Sequence, residues 1–327
     1  TGFIDENGVV QGPIGTNPCG EIILQSKQFC NLSEVIARAG DSKEDLVRKS
    51  RIASMIGTYQ STLTNFNYIS KEWAENCDDE HLLGVSVTGQ WDCDEARNPE
   101  TLRAIRDMAV ETNATYAKAF GVKQSTSVTA VKPSGTVSQT FNCSSGIHPR
   151  HSKYYIRRVR ISATDSLFKM MKDQGVPYFP EVGQSLNDAS TYVMEFPVEA
   201  PSDSVFKDDL TALDQLEYWK MVKLNYTEHN PSATISVGED EWIQRNWEII
   251  GGLSFLPRFD HVYSLAPYET IDKARYEELS ANFPTIDYSK LVTYEHSDET
   301  EQKQEIACAS GSCDVDMVVP TDEIVLP

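Results

Sequence analysis

Short β-branched segments alternate with segments of helical periodicity along most of this chain, and that alternation limits the fold more than any other feature. Residues 81–89 and 127–131 are typical of buried strands, and a stretch with apolar residues at helical spacing lies between them. Strands that alternate with helices form parallel βα units, and functional loops lie at the carboxyl ends of such strands. The sequence therefore predicts an α/β fold.

Capping signals place the predicted helices more closely. Asp41 with Glu44 reads as a capping box before a helix that runs to about residue 63, and Asn98 with Pro99 begins a helix that runs to about residue 120. Further helices are predicted over 165–175, 213–226, 239–250 and 271–281, further strands over 191–196 and 233–237, and a hairpin turn at Asn7-Gly8.

Charge and cysteine usage narrow the function classes. The net charge of −20 argues against nucleic acid as a partner, because phosphate backbones are bound by a basic face. No apolar run approaches the ~20 residues of a membrane span, so we expect no membrane partner. The chain has seven cysteines, and an odd number fits a reducing compartment, so we expect a cytoplasmic protein. In that compartment a cysteine pair is more often redox-active than structural.

Asn17-Pro18-Cys19-Gly20-Glu21 is the stretch with most chemical content. In an extended or tightly looped backbone, side chains two positions apart point the same way, so the amide, thiol and carboxylate can converge on one small ligand. Pro18 fixes φ, and Gly20 allows a close backbone approach. Cys30 follows eleven residues after Cys19. The alternative is a turn that holds a buried structural cysteine.

A second candidate site, Lys132–Ser138, follows the strand predicted over 127–131. Gly135 and three hydroxyl side chains suit it to cradle a phosphate at a helix N-terminus, although it lacks the Walker spacing. An ordinary strand-to-helix turn is the alternative. Near the end of the chain, Cys308 and Cys313 lie in a polar and acidic segment with no second cysteine pair. A redox dithiol explains them better than half of a zinc site.

Taken together, these segments resemble the ribonucleotide reductases. Residues 16–22 and 29–33 are similar to the finger loop of that family. Residues 132–138, 145–150 and 252–257, with the Cys308/Cys313 pair, resemble its adenosylcobalamin-dependent (class II) branch, specifically the monomeric type. The resemblance implies a ten-stranded α/β barrel made of two five-stranded parallel halves around a central radical-carrying finger loop. Residues 1–293 would be its C-terminal half, with the finger loop at 11–30, and residues 294–327 a flexible redox-active tail.

The resemblance also implies roles for single residues in the reduction of ribonucleotides, most simply triphosphates, to deoxyribonucleotides for DNA synthesis. Cys19 would carry the thiyl radical, Glu21 would take the 3′-hydroxyl proton, and Asn17 would hydrogen-bond the sugar. Cys30 would supply one thiol of the reducing pair.

Further implied roles concern the reductant, the phosphates and the cofactor. Cys308 and Cys313 would relay electrons from thioredoxin or a similar dithiol protein. Ser134, Gly135, Thr136, Val137 and Ser138 would hold the substrate phosphates. Adenosylcobalamin would generate the radical, and no metal ligands are expected from the protein itself.

Several features stand outside this resemblance. The chain begins at Thr1 and lacks the first half of the barrel, so we expect a companion chain that carries that half, its redox cysteine and the effector region. Cys77, Cys93 and Cys143 match no motif and are expected to be structural thiols. The basic run 148–160 either faces triphosphate or cofactor or is a solvated strand face. The rival hypothesis is a thioredoxin-linked dithiol protein, or a degenerate reductase fragment with a structural role.

Overall fold

The computed structural model describes residues 2–4, 10–236, 240–256 and 264–295. The Asn7-Gly8 turn and the Cys308/Cys313 pair lie outside these ranges. The described strands are β1 (Gly2–Ile4), β2 (Val10–Thr16), β3 (Ile23–Gln25), β4 (Asn31–Ile36), β5 (Leu83–Thr88), β6 (Tyr154–Ser162), β7 (Tyr178–Pro180), β8 (Thr191–Glu199), β9 (Ala233–Ser236), β10 (Leu253–Leu256) and β11 (Tyr268–Thr270). The described α-helices are α1 (Lys43–Gln60), α2 (Lys71–Glu80), α3 (Pro99–Phe120), α4 (Gly135–Phe141), α5 (Ser166–Asp173), α6 (Ala212–Asn225), α7 (Asp240–Arg245) and α8 (Lys273–Asn282).

A parallel sheet forms the centre of the fold. β4 pairs with β5, and β9 pairs with β10, both in parallel. Residues 127–131 join the two pairs: Val85 donates its N–H to the Val128 carbonyl at 2.8 Å, and a parallel bridge links Val131 to Pro231. Within the described residues the order is therefore β4, β5, 127–131, β9, β10. The predicted α/β alternation is confirmed for this part of the chain.

Helices α1, α3 and α6 pack on this sheet and bury the main core. The helix predicted from Asn98 and Pro99 is confirmed, because Asn98 caps α3 through its side chain and Pro99 is the first helical residue. The core holds large side chains from every layer, among them Leu46, Leu83, Leu102, Leu216 and Trp219, all with no measurable exposure. Burial of these apolar side chains fixes the helices against one face of the sheet.

The expectation of parallel units alone is wrong for residues 154–270. There, β11, β6, β8 and β7 form an antiparallel sheet, and β6 and β8 pair along their full nine residues. This sheet has a core of its own under α5, which includes Phe168, Met170 and Met194. The strand propensity of these residues is compatible with either strand direction, so it could not predict the antiparallel pairing.

Two arginines of the basic run lie on β6 and form ion pairs with carboxylates. Arg158 is buried and is paired with Glu195 at 2.7 Å and with Glu269 at 2.5 Å. Arg160 is paired with Glu181 at 2.6 Å. Arg158 and Arg160 are therefore neutralised by carboxylates on neighbouring strands and loops, and the two predictions for the whole run 148–160 stay untested.

Helix α1 begins and packs differently from the prediction. Its capping box is Ser42 with Asp45, one residue later than predicted. Its buried face consists of small side chains, because α1 and α3 lie close together: the hydroxyls of Ser50 and Ser54 donate to backbone carbonyls of α3 at 2.8 and 2.6 Å. Three large apolar side chains of α1 are exposed, namely Ile52, Ile56 and Tyr59.

The remaining predictions differ mainly in length. Asp165 caps α5 as predicted, and α6 and α8 lie within two residues of their predicted bounds. The helix predicted over 239–250 is shorter, since α7 ends at Arg245 and a 3₁₀ turn follows over Trp247–Ile249. Across the described residues, no helix combines the length and hydropathy required of a transmembrane span.

Candidate functional site

The turn at residues 17–22 connects β2 to β3 and presents Cys19. Asn17 ties it together: its side-chain oxygen accepts from the Ile22 N–H at 3.0 Å, and its backbone carbonyl accepts from the Gly20 N–H at 2.9 Å. Gly20 has φ of +78°, a conformation that side chains other than glycine's rarely adopt. The sequence Asn-Pro-Cys-Gly thus forms a tight turn. Both the side-chain oxygen and the backbone carbonyl oxygen of Asn17 accept hydrogen bonds within it.

A second segment, residues 229–232, holds this turn in place. The Ser232 hydroxyl donates to the Cys19 carbonyl at 2.6 Å. Asn230 donates its backbone N–H to the Glu21 carbonyl at 3.0 Å, and its side-chain amide lies 3.4 Å from the Gly20 carbonyl. Three consecutive carbonyls of the turn are therefore fixed from one neighbouring segment. The segment precedes β9, so the turn lies at the amino end of that strand.

Gly252 contacts the turn from the side of β10. A Cβ atom on Gly252 would lie 2.7 Å from the Gly20 carbonyl oxygen, closer than real Cβ atoms approach. The 252–257 motif noted in the sequence therefore has a steric reason at its first residue. The backbone of the turn and the backbone preceding β10 are in contact, and a side chain at Gly252 would separate them.

Glu21 is the most unusual side chain of the site. It has no solvent exposure, and neither carboxylate oxygen has a hydrogen-bond partner within the described residues. Burial raises the pKa of the carboxyl, and the neighbouring Asn17 amide and the Lys132 charge offset the rise only in part. A buried carboxylate without partners is costly, so its two oxygens are available for a ligand.

Cys30 lies immediately before β4 and within electrostatic reach of Glu21. Burial and the Glu21 charge raise the pKa of its thiol to about 11, and the Lys132 charge opposes them. Cys19 and Cys30 are both half-buried and are not joined by a disulfide. The structure thus brings Cys30, Glu21 and Lys132 together, although Cys30 and Lys132 are far apart in sequence.

The loop after residues 127–131 is less open than predicted. Ser134 is buried, and its hydroxyl donates to the carboxylate of Glu34. The Ser138 hydroxyl, also buried, donates to the Gly135 carbonyl at 3.0 Å. Of the five predicted phosphate-binding residues, only Thr136 has an exposed side chain, while Gly135 and Val137 are half-buried. Two of the predicted hydroxyls therefore serve the loop itself.

Sequence reasoning missed Glu34, Asn230 and Ser232, and it gave Lys132 no role beside Glu21 and Cys30. Glu34 on β4 accepts from Ser86 at 3.0 Å and from Ser134. Lys132 supplies the positive charge that acts on Glu21, Glu34 and Cys30. Asn230 and Ser232 hold the turn. No strand was predicted over residues 31–36, so no local signal pointed to Glu34, and nothing local marks Asn230 or Ser232.

The unassigned cysteines and the basic run lie elsewhere. Cys77, Cys93 and Cys143 are buried thiols, as predicted. A separate cavity of about 100 Å³ lies beside His148 and Arg150 and includes none of the predicted catalytic residues. Arg150 does not offer its charge to that cavity, because it is paired with Asp92 at 2.9 Å. No group of three or more metal-ligating side chains occurs among the described residues.

Comparison with curated proteins identifies relatives of this chain. It is 26% identical over 322 residues to a probable adenosylcobalamin-dependent ribonucleoside-triphosphate reductase from Dictyostelium discoideum, covering 92% of this chain and 40% of that protein. It is 28% identical over 315 residues to the adenosylcobalamin-dependent ribonucleoside-triphosphate reductase of Euglena gracilis, covering 93% and 42%. The corresponding protein of Lactobacillus leichmannii is 26% identical over 343 residues, covering 92% and 45%.

Comparison with solved structures gives the same fold. The crystal structure of a B-12 dependent (class II) ribonucleotide reductase superposes with a TM-score of 0.68 at 22% sequence identity, over 88% of this chain and 44% of that one. No protein-family model matches the chain. The chain thus has the α/β fold of that reductase, and it spans less than half the length of the curated relatives it matches.

Proposed function

We propose that this chain carries the thiyl-radical site of an adenosylcobalamin-dependent ribonucleotide reductase, with Cys19 as the radical-bearing residue. The observation that carries the proposal is the buried, unpartnered carboxylate of Glu21, two residues from Cys19 and within electrostatic reach of Cys30 and Lys132. A turn with only a structural role does not need a buried carboxylate that lacks hydrogen-bond partners. A general base that takes the proton of a sugar hydroxyl needs a carboxylate oxygen that is available to it.

Cys19 suits the hydrogen-atom step that this chemistry begins with. The cobalt of adenosylcobalamin is already bound by the cofactor itself. The site therefore needs a well-positioned hydrogen-atom donor and no metal ligands from the protein. The Cys19 thiol is half-buried on a turn whose carbonyls are fixed by Asn230 and Ser232, which fits that requirement. When bound, the cofactor supplies the organic radical that removes the hydrogen atom from Cys19.

The remaining steps use groups of this chain. The Cys19 thiyl takes the 3′ hydrogen atom of the ribose, and the Glu21 carboxylate takes the 3′-hydroxyl proton, which assists loss of the 2′-hydroxyl as water. Cys30 and a second thiol then supply two electrons and two protons, and they form a disulfide. Glu21 finally returns its proton to the 3′ oxygen, and the 3′ hydrogen atom returns from Cys19. The net change converts a ribose and two thiols into a deoxyribose, a disulfide and water.

The protonation state of Cys30 favours this role. A nucleophilic dithiol cysteine has a lowered pKa, because the thiolate is the attacking species. Burial raises the pKa of Cys30 to about 11, so it remains a thiol at neutral pH, the form that gives up hydrogen. The rival function, a thioredoxin-linked dithiol protein without radical chemistry, is not favoured by this site.

The substrate phosphates are assigned to the loop at residues 134–138. The relatives are named triphosphate reductases, and we extend that substrate class to this chain. Lys132 supplies positive charge beside the loop, and Thr136 has an exposed side chain. Since the hydroxyls of Ser134 and Ser138 are used internally, the phosphates would meet the backbone around Gly135 and Thr136.

Two partners complete the proposal. Cys308 and Cys313, outside the described residues, would reduce the disulfide at Cys30 and be reduced in turn by thioredoxin or a similar dithiol protein.

A companion carrying the other half of a barrel would pair with β4 and β10, which lie at the two edges of the described parallel sheet. The exposed apolar side chains of α1 are a further surface that such a companion would cover.

The test is to assemble the enzyme from this chain and the part of the reductase that it does not span, and to measure deoxyribonucleotide formation. With adenosylcobalamin and a dithiol reductant, ribonucleoside triphosphate should be converted to its deoxy form. Absence of product from a folded, nucleotide-binding assembly would refute the function.

A further inference from the structure

Glu34 occupies a position that connects the two ends of the proposed substrate. It lies on β4, the strand that begins directly after Cys30, and it stands opposite Ser86 of β5 in the register of the sheet. β4 therefore carries this carboxylate and begins one residue after the reducing thiol.

The contacts of Glu34 lead to the phosphate loop. One of its oxygens accepts hydrogen bonds from the hydroxyls of Ser86 and Ser134. Ser86 in turn accepts from the Lys132 N–H at 3.0 Å. The beginning and the turn of the loop are thus both held through a single side chain on β4.

Ser134 needs such an anchor. Its φ of 53° and ψ of 40° place it in the left-handed region, which is unfavourable for a residue other than glycine. It is the residue that precedes α4, so its conformation sets where the first turn of that helix begins. A hydrogen bond from a buried hydroxyl to a carboxylate is among the stronger ones and offsets this strain.

We propose that Glu34 is the positioning residue that sets the phosphate loop at a fixed place relative to Cys30 and Glu21. This inference rests on the proposed function, because it assigns the loop to substrate phosphates. Glu34 acts through Ser134 and Ser86 and does not itself touch the reacting atoms. One carboxylate thereby couples the phosphate end of the nucleotide site to its sugar end.

Four variants of the assembled enzyme test this role. Glu34→Leu keeps the volume and removes the acceptor, so the KM for nucleotide should rise about tenfold while kcat stays within about twofold. Glu34→Gln keeps an acceptor and should raise KM by no more than about threefold. Adding Ser134→Gly to Glu34→Leu should restore most of the affinity, because glycine adopts the left-handed conformation unaided. The matched control is Ser33→Ala, whose hydroxyl has no partner among the described residues.

Hydrogen exchange supplies a readout that does not depend on activity. Glu34→Leu should speed amide exchange in residues 133–141 and leave α1 unchanged, and Ser33→Ala should change neither. If the wild-type assembly makes no deoxyribonucleotide, the proposed function fails, and exchange still decides the Glu34 contact. An unchanged KM or unchanged loop exchange in Glu34→Leu overturns the inference, as does failure of Ser134→Gly to restore affinity.

Discussion

The hydroxyl of Ser232 donates a hydrogen bond of 2.6 Å to the carbonyl of Cys19, across 213 residues of sequence. The contact fixes the backbone of the turn while leaving the Cys19 side chain to other partners. Asn230 holds the next two carbonyls, so the turn is positioned through its main chain. A site that must place a radical close to a sugar carbon benefits from such rigid support.

Removal of the Ser232 hydroxyl should therefore loosen the turn. Ser232→Ala is expected to lower the free energy of unfolding by about 1 kcal/mol and nucleotide reduction by about tenfold, because a buried carbonyl loses its donor. Urea unfolding and steady-state rates measure the two effects. The control is Ser254→Ala on β10, whose hydroxyl bonds Thr234 at 2.9 Å and does not contact the turn. Equal rates for both variants would contradict the positioning role.

Gly252 allows a prediction from steric contact alone. Gly252→Ala would place a methyl group 2.7 Å from the Gly20 carbonyl oxygen, and both partners are backbone. We expect a loss of about 1–3 kcal/mol in the free energy of unfolding, with activity reduced further because the turn moves. Gly15→Ala is the matched control in the same hairpin, since nothing lies within 4 Å of its added methyl. Normal activity of Gly252→Ala would show that the turn at residues 17–22 can move without loss of function.

Glu21, the proposed catalytic base, should lower the stability of the folded chain at neutral pH. Its pKa in the folded chain is raised above the ordinary 4.5. Protonation therefore favours the folded state, and that contribution is present below pH 4.5 and is lost as the pH rises through the raised pKa. Glu21→Gln should accordingly be more stable than the wild type at pH 7, by about 1 kcal/mol or more, and should lack reductase activity.

The pH dependence checks the sign of this effect. The stability difference between Glu21→Gln and the wild type should shrink as the pH is lowered toward 4.5. Asp45→Asn serves as the control, because hydrogen bonding lowers the pKa of that carboxyl and its loss should destabilise α1 at neutral pH. A Glu21→Gln variant less stable than the wild type at pH 7 would mean that the carboxylate has a partner in the protein.

The cysteine pair near the end of the chain should act only in repeated turnover. With Cys308→Ser and Cys313→Ser combined, pre-reduced enzyme should complete about one turnover and then stop with thioredoxin, because the disulfide at Cys30 is not reduced again. A small dithiol should partly restore turnover. Ser310→Ala with Ser312→Ala is the control within the same segment. Unchanged thioredoxin-driven turnover in the double cysteine variant would exclude the relay.

The sequence predicted elements where local signals are strong. Asn98 and Pro99 mark the start of α3, and the β-branched run at 83–88 forms a strand buried at every position. Hydrophobicity alone would assign Ile52 and Ile56 of α1 to the core, but both side chains are exposed. Close packing against α3 instead selects small side chains such as Ser54, whose hydroxyl bonds a carbonyl of the neighbouring helix.

The candidate reactive side chains could be predicted from the sequence, whereas the residues that hold the turn in place could not. Asn17, Cys19, Glu21 and Cys30 lie within one short stretch, so their types and spacing are visible in the sequence. Ser232 contacts the turn although 213 residues separate it from Cys19, and no local pattern encodes that contact.

The exchange of Cys19 for serine tests the central claim most directly. In the assembled enzyme with adenosylcobalamin and a dithiol, Cys19→Ser should form no measurable deoxyribonucleotide, because a serine O–H is too strong to yield its hydrogen atom. It should still bind the nucleotide. Cys93→Ala, at a buried cysteine outside the site, should keep close to the wild-type rate. Deoxyribonucleotide formation by Cys19→Ser at the wild-type rate would contradict the assignment of this turn as the radical site.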